Sequence, residues 1–308
     1  MAKLKTIRAS EPNSGIRAQA KRKLKAMALS FVKRVRSEMI ASLETGGAAM
    51  DASLSNPQDP AVAARMKGYA DILKTKERIL RKTDINRLDD FVQSKLVDWL
   101  TEADGEARAF SKWFARALVS STTASQRAAL KAAGISPHFM RRRWAVPVGR
   151  QFVSPEAAEQ IPKIVEESTN LITRMFARDV ERLQDTIVQG IEKGQDVDSI
   201  KRLLVNCSGF TERRAELVAI DQTNKVHNAI STANSQAIGI TEGTWVHVPG
   251  QFTSRESHIK MNGKRFKLSE GLFDPAVGKN VTPGSLPYCR CVYRSILPPD
   301  ILDAMKDD

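Results

Sequence analysis

Cysteine is scarce in this chain, with three in 308 residues. That excludes a disulfide framework and reads as synthesis in a reducing cytoplasm. Apolar runs are short. None approaches the ~18 residues of a membrane-spanning helix, so no membrane partner is expected. The opening residues, Met-Ala-Lys-Leu-Lys-Thr-Ile-Arg, lack an apolar core and a small-residue cleavage site, which excludes a secretory signal. Internal repeats and low-complexity tracts are missing as well. Hydrophobic residues at 42% and charged residues at 27% exclude a disordered chain.

Acidic residues are few where basic ones are many. The net charge is +13, and the first forty residues hold eleven Lys and Arg against Glu11 and Glu38. The basic character is therefore a local N-terminal feature, not a property of the whole surface. Its clusters are Lys21, Arg22, Lys23 and Lys25, then Lys33, Arg34 and Arg36. Such runs neutralise phosphates. They equally suit a solvated helix face or docking on an acidic protein, and no aromatic residues interleave them as nucleic-acid platforms would require.

Ile16, Ala20, Leu24, Met27, Phe31, Val35, Met39 and Leu43 recur at helical spacing up to Gly46-Gly47. Ser55 to Pro60 reads as a linker and 61–82 as a further helix. Thr83 or Asp84 can cap a helix through Trp99, with shorter helices expected over 106–118 and 123–133. Gly134, Pro137, Pro147, Gly149 and Pro155 mark a boundary. The chain thus divides into a helical, basic region, 1–150, and a second region, 151–308.

The second region reads as α+β: helices first, then a small antiparallel sheet. A strong amphipathic helix runs from Ile161 to Ile191 and closes at Gly194, and Asp198 can cap a short one. Cys207 to Thr211 reads as a turn, with Thr211 capping a helix over 212–237. That helix carries a small apolar face and a polar face of Arg214, Asp221, Lys225 and Asn228, expected to be solvated. Period-two patterning then gives strands at 244–248, 264–268 and 289–297, with Asn262-Gly263 as a tight turn and 269–288 as loop.

The order of these fragments resembles the phage Mu F-like minor head protein family, also called phage head morphogenesis proteins. The carrying residues are Arg213-Arg214, Asp221-Gln222, Lys225, Gly239, Trp245, Arg255 with His258, Gly263, Phe266, Pro283-Gly284, and Cys289-Arg290-Cys291. The similarity spans about 155–298. Gln251 stands near the place where the family usually has an Asp, which argues against a mechanism needing that carboxylate. The resemblance implies a structural, non-enzymatic minor head protein, made in the host cytoplasm and carried in the virion head. Its implied partners are the portal protein, the scaffold or major capsid protein, and DNA.

Cys289 and Cys291, two apart, would point to one face of a strand and could share a metal with His258 and His247. No cofactor is demanded by this pattern. A structural zinc suits it, and so do two small buried thiols beside a hydrogen-bonded histidine. The alternative function is a nuclease or nucleotide-modifying toxin-like enzyme using His258 and Arg255. Turnover of nucleic acid lost on His258→Ala would separate the two readings.

Overall fold

A computed structural model of the chain describes residues 5–44, 83–195, 197–249 and 254–304. The linker and helix expected within 45–82 lie outside the described residues, as does Gln251. The helices are α1 (Ser14–Glu44), α2 (Thr83–Ala132), α3 (Pro137–Arg143), α4 (Pro155–Glu192), α5 (Val197–Val205), α6 (Ser208–Ala237), α7 (Glu256–Met261) and α8 (Pro299–Ala304). The strands are β1 (Val146–Val148), β2 (Gln151–Val153), β3 (Glu242–Val246), β4 (Arg265–Lys267), β5 (Leu272–Asp274), β6 (Lys279–Val281) and β7 (Val292–Ile296). The expected α+β class holds.

Local chemistry sets the helix boundaries. Asn13 caps α1 by accepting from the Ile16 N–H at 3.0 Å. Ser136 caps α3 through Phe139, with Pro137 in the first turn. Ser154 caps α4 through Ala157, again followed by a proline. Gly239, at φ +88°, ends α6, and the Ile240 N–H returns to the Ser235 carbonyl.

Several expected boundaries are corrected. Thr83 to Ala132 is one continuous helix, not three. Gly105 is tolerated within it, and the Ser-Ser-Thr-Thr run is held by contacts of its own: Thr122 meets His227 at 3.1 Å and Thr123 accepts from Asn234 at 3.3 Å. The helix expected from 212 starts at Ser208, so Thr211 is a buried residue inside α6, not its cap. Its hydroxyl serves the Asp179 carboxylate instead.

The described residues form two compact units, each assembled from separate stretches of chain. One comprises 1–20, 112–165 and 219–308, and the other 21–111 and 166–218. The division near residue 150 read from the sequence falls inside the first of these.

The second unit is helical. Leu24, Phe31, Val35 and Met39 are buried, and Phe31 stacks on Phe176 with ring centroids 4.6 Å apart. Trp99 donates to Glu38 at 2.9 Å. Asp179 is buried between Arg214 (3.3 Å) and Arg182 (3.5 Å). Burial lifts its carboxyl to about 6, against the opposing pull of the two guanidinium groups.

The first unit holds the sheet. β3 lies between β4 and β7, antiparallel to both, with Gly243 opposite Phe266 and Ser295, and Val246 opposite Val292. Residues 5–7 extend the pairing on β7: Thr6 bridges Ile296, the Ile7 N–H donates to Ser295 and the Leu297 N–H donates to Lys5, both at 2.9 Å. Two hairpins, β1–β2 and β5–β6, complete the strands. The second occupies a stretch expected to be loop, and strands β3, β4 and β7 are shorter than or displaced from those expected. Trp144, Phe139, Trp245, Phe266 and Tyr293 fill the core. Asn234, fully buried, ties it together by taking the Trp144 indole N–H on its carbonyl (3.0 Å) and the Ser154 N–H on its side chain (3.0 Å).

Candidate functional site

In the first unit, β3 and β7 end together. Because Val246 pairs with Val292, the residues just beyond the last pair, His247 and Cys291, face each other, with His247 Nδ1 3.6 Å from the Cys291 sulfur. Cys289 and Cys291 precede β7 and are not part of it, so strand alternation is not what converges them. The backbone does so instead: the N–H groups of Cys291 and Gly284 serve the Cys289 sulfur, and the Val248 N–H serves the Cys291 sulfur.

His258 arrives from the short helix α7, in a stretch expected to be loop. Its Nδ1 lies 3.3 Å from the Cys289 sulfur and 3.7 Å from that of Cys291. Its Nε2 meets Asp274 Oδ2 at 3.2 Å, and the other Asp274 oxygen accepts from the Ala276 N–H at 3.0 Å. His258 and both cysteines are at most 3% exposed, and Asp274 is fully buried. Trp245 packs edge-on against His258, ring centroids 5.2 Å apart. Its buried indole N–H has no partner other than the Cys291 sulfur, whose ionisation it favours.

The thiols are electrostatically unequal. The Cys291 thiol's hydrogen bond holds Cys289 well below the ordinary thiol range, against burial and with help from His258. The same bond, with burial, keeps Cys291 above the ordinary thiol range. His258 is raised, first by its bond to Cys289. The pair therefore favours a thiolate beside a protonated imidazole. Such a pair can act as a nucleophile or as a ligand set. A nucleophile must meet substrate, and these sulfurs are enclosed.

A polar stripe on α6 clamps the loop that carries the cysteines. Asp221 accepts the Tyr288 N–H at 2.9 Å, where Tyr288 takes φ +59°. Asn224 donates to the Cys289 carbonyl at 3.1 Å, and Asn228 to the carbonyls of Asn224 (2.9 Å) and Cys291 (3.4 Å). The expectation of a solvated face is thus corrected: Asp221 and Asn228 are buried beneath this loop. Lys225 pairs with Asp221 at 2.7 Å, and Gln222 donates to it at 3.2 Å.

The remaining expected residues divide between the units. Arg255 donates to the Pro287 carbonyl at 3.0 Å. Gly263, at φ +80°, makes the turn whose N–H reaches Trp245, and Phe266 packs between Trp245 and Tyr293. Arg290 is half-buried, and with burial as the larger cause it lowers the pKa of Arg17. Arg214 belongs to the other unit, with Asp179.

The basic cluster is there too: Lys21 and Lys25 pair with Glu216 and Glu212, each at 2.7 Å, and Arg34 with Glu102. Arg22, Lys23 and Lys33 are exposed and Arg36 is half-exposed.

The sequence reading missed Asp274 and Asn224. A carboxylate facing a buried histidine is a long-range pairing with no local signal. Asn224 and Asn228, one helical turn apart with Asp221 one turn before, did carry a signal: they line one face of the helix.

Residues 181–294 match the family model described as phage Mu protein F like protein. The chain is also 25% identical over 144 residues to an uncharacterized protein of Haemophilus influenzae (strain ATCC 51907 / DSM 11121 / KW20 / Rd). That similarity covers 47% of this chain and 31% of the relative, so the chain spans about a third of the protein it matches. No solved structure matches.

Proposed function

We propose, from the match of residues 181–294 to the phage Mu protein F like family, that this chain is a head morphogenesis protein of a tailed bacteriophage. Its role is structural. It joins the procapsid at the portal vertex as a minor head component, contacts portal and scaffold or major capsid protein, and bears on DNA packaging or ejection. The matched stretch contains the α6 stripe, Trp245, the His258 helix and most of the Cys289–Cys291 loop contacts, and these residues assemble in one place. That assembly supports the reading. The burial of His258 and both thiols supports a structural use of them over a catalytic one. Among the described residues no helix is long and apolar enough to cross a membrane.

The test is sedimentation of procapsids from an assembling phage carrying this chain. The chain should travel with procapsids and be depleted from particles made without portal. Its absence from procapsids and virions, with heads formed at normal yield without it, would overturn the reading.

A further inference from the structure

We propose that Cys289, Cys291, His258 and His247 form a structural Zn²⁺ site of the Cys₂His₂ kind. The inference is independent of the head-assembly reading, since it rests on side-chain geometry alone.

Three sulfur and nitrogen ligand atoms, from His258, Cys289 and Cys291, lie within 4.8 Å of one another and are all buried. Tetrahedral zinc, with bonds of about 2.3 Å to sulfur and 2.0–2.1 Å to nitrogen, places adjacent sulfur and nitrogen ligands about 3.6 Å apart. The three sulfur–nitrogen separations here are 3.3, 3.7 and 3.6 Å. The fourth ligand, His247, is half-buried, so the site opens toward solvent on that side.

Asp274 occupies the Nε2 side of His258 and leaves Nδ1 facing two sulfurs. A cation in the middle satisfies all the converging lone pairs at once. The surroundings are those of thiolates: three backbone N–H groups serve the two sulfurs, and a buried indole N–H stands beside Cys291 without another partner. Two thiolates and two neutral imidazoles leave a Zn²⁺ site with no net charge, which suits burial. Asp274 then plays the outer carboxylate of a carboxylate–histidine–zinc relay, a positioning residue that fixes the ring and raises its basicity.

The site has structural work to do. It would join the ends of β3 and β7 to α7 and to the long loop before Cys289. The sheet it braces has only three strands, two of five residues and one of three.

The test uses the full chain, produced in zinc-supplemented medium and confirmed folded by circular dichroism. Elemental analysis should find about one zinc per chain, and the Cys289→Ser/Cys291→Ser variant should lose it. Exchange with Co²⁺ should give tetrahedral d–d bands and thiolate-to-cobalt charge transfer. Asp274→Asn should retain the cobalt spectrum but hold Zn²⁺ about 10- to 100-fold more weakly in chelator competition. His247→Ala should weaken binding while keeping the charge-transfer band. A folded wild-type chain that carries no more zinc than the double-serine variant overturns the proposal. So does a cobalt complex without sulfur charge transfer. Because both readouts exist for the unmutated protein, a variant that fails to fold does not decide the matter.

Discussion

Gly284 sits where a side chain has no room, and Gly284→Ala should unfold the first unit more easily by a calculable amount. The residue is at φ +74°, and a Cβ there would lie 2.2 Å from Asn228 Nδ2, 3.0 Å from its Cγ and 3.2 Å from the Asn224 carbonyl oxygen. The left-handed backbone costs a non-glycine residue about 1–2 kcal/mol. Asn228 must also move, and it is buried and tied to two carbonyls. Losing those bonds adds about 0.5–1.5 kcal/mol each. The expected total is about 2–5 kcal/mol. The clash and the bonds share one partner, so they must be coupled. In an Asn228→Ala background the backbone term and the 3.2 Å approach to the Asn224 carbonyl remain, and the cost of Gly284→Ala should fall toward about 1–2 kcal/mol.

Urea unfolding followed by tryptophan fluorescence is a suitable assay, because Trp113, Trp144 and Trp245 belong to this unit and only Trp99 to the other. Equal cost in both backgrounds, or a cost under about 0.5 kcal/mol in the wild type, would refute the steric argument.

Asp179 titrates near 6 in the folded chain, above its unfolded value, so the native state binds the extra proton between about pH 4 and 6. Its contribution to stability is full below pH 4 and is lost as pH rises through 6. Asp179→Asn should flatten the fall in stability between pH 4.5 and pH 7 measured by urea unfolding, and a fall as steep as in the unmutated chain would refute the assignment. His227 is the opposite case. It is buried against Thr122 and Ser10, and burial depresses it to about 4. Its contribution is present above pH 6.5 and lost as pH falls toward 4, so His227→Gln should flatten the acid side of the stability profile.

Lys21→Glu should change stability by less than about 1 kcal/mol, since both it and Glu216 are well exposed. If the basic segment contacts DNA, reversing Arg22, Lys33 and Arg36 should weaken binding and flatten its salt dependence by about 0.9 in slope per lost phosphate contact. An unchanged slope removes DNA from the segment's partners and leaves protein contacts or solubility.

Long-period features were legible in the sequence and short-range closures were not. The stripe from Leu24 to Met39 announced α1, and the run from Ile161 to Ile191 announced α4, because each repeats through many turns. The convergence of Cys289, Cys291 and His258 was legible from residue type and order. Its mechanism was not, since it depends on β3–β7 register and on a six-residue helix too short to show a period. The same limit hid β5 and β6, three residues each. The α6 stripe failed differently. Its polar residues were visible, but spacing cannot tell water from a covering loop full of carbonyls, and here the loop takes the place of water. Gly105 costs the helix about 1 kcal/mol and the Ser120–Thr123 residues less each, and α2 continues through the latter with Thr122 and Thr123 held by His227 and Asn234.

The pairing of residues 5–7 with 295–297 has a kinetic consequence. The outer edge of β7 meets a stretch of chain made long before it, with nearly the whole described chain between the two. The first unit cannot be completed before β7 has been made, and loop closure across almost the whole described chain must precede that last strand contact. Until then Ile7 and the β7 edge wait uncovered, and the nascent protein presents an open sheet edge to its surroundings. The edge of the first unit therefore closes only after residues 5–7 and β7 have met, which makes this contact a late step in folding.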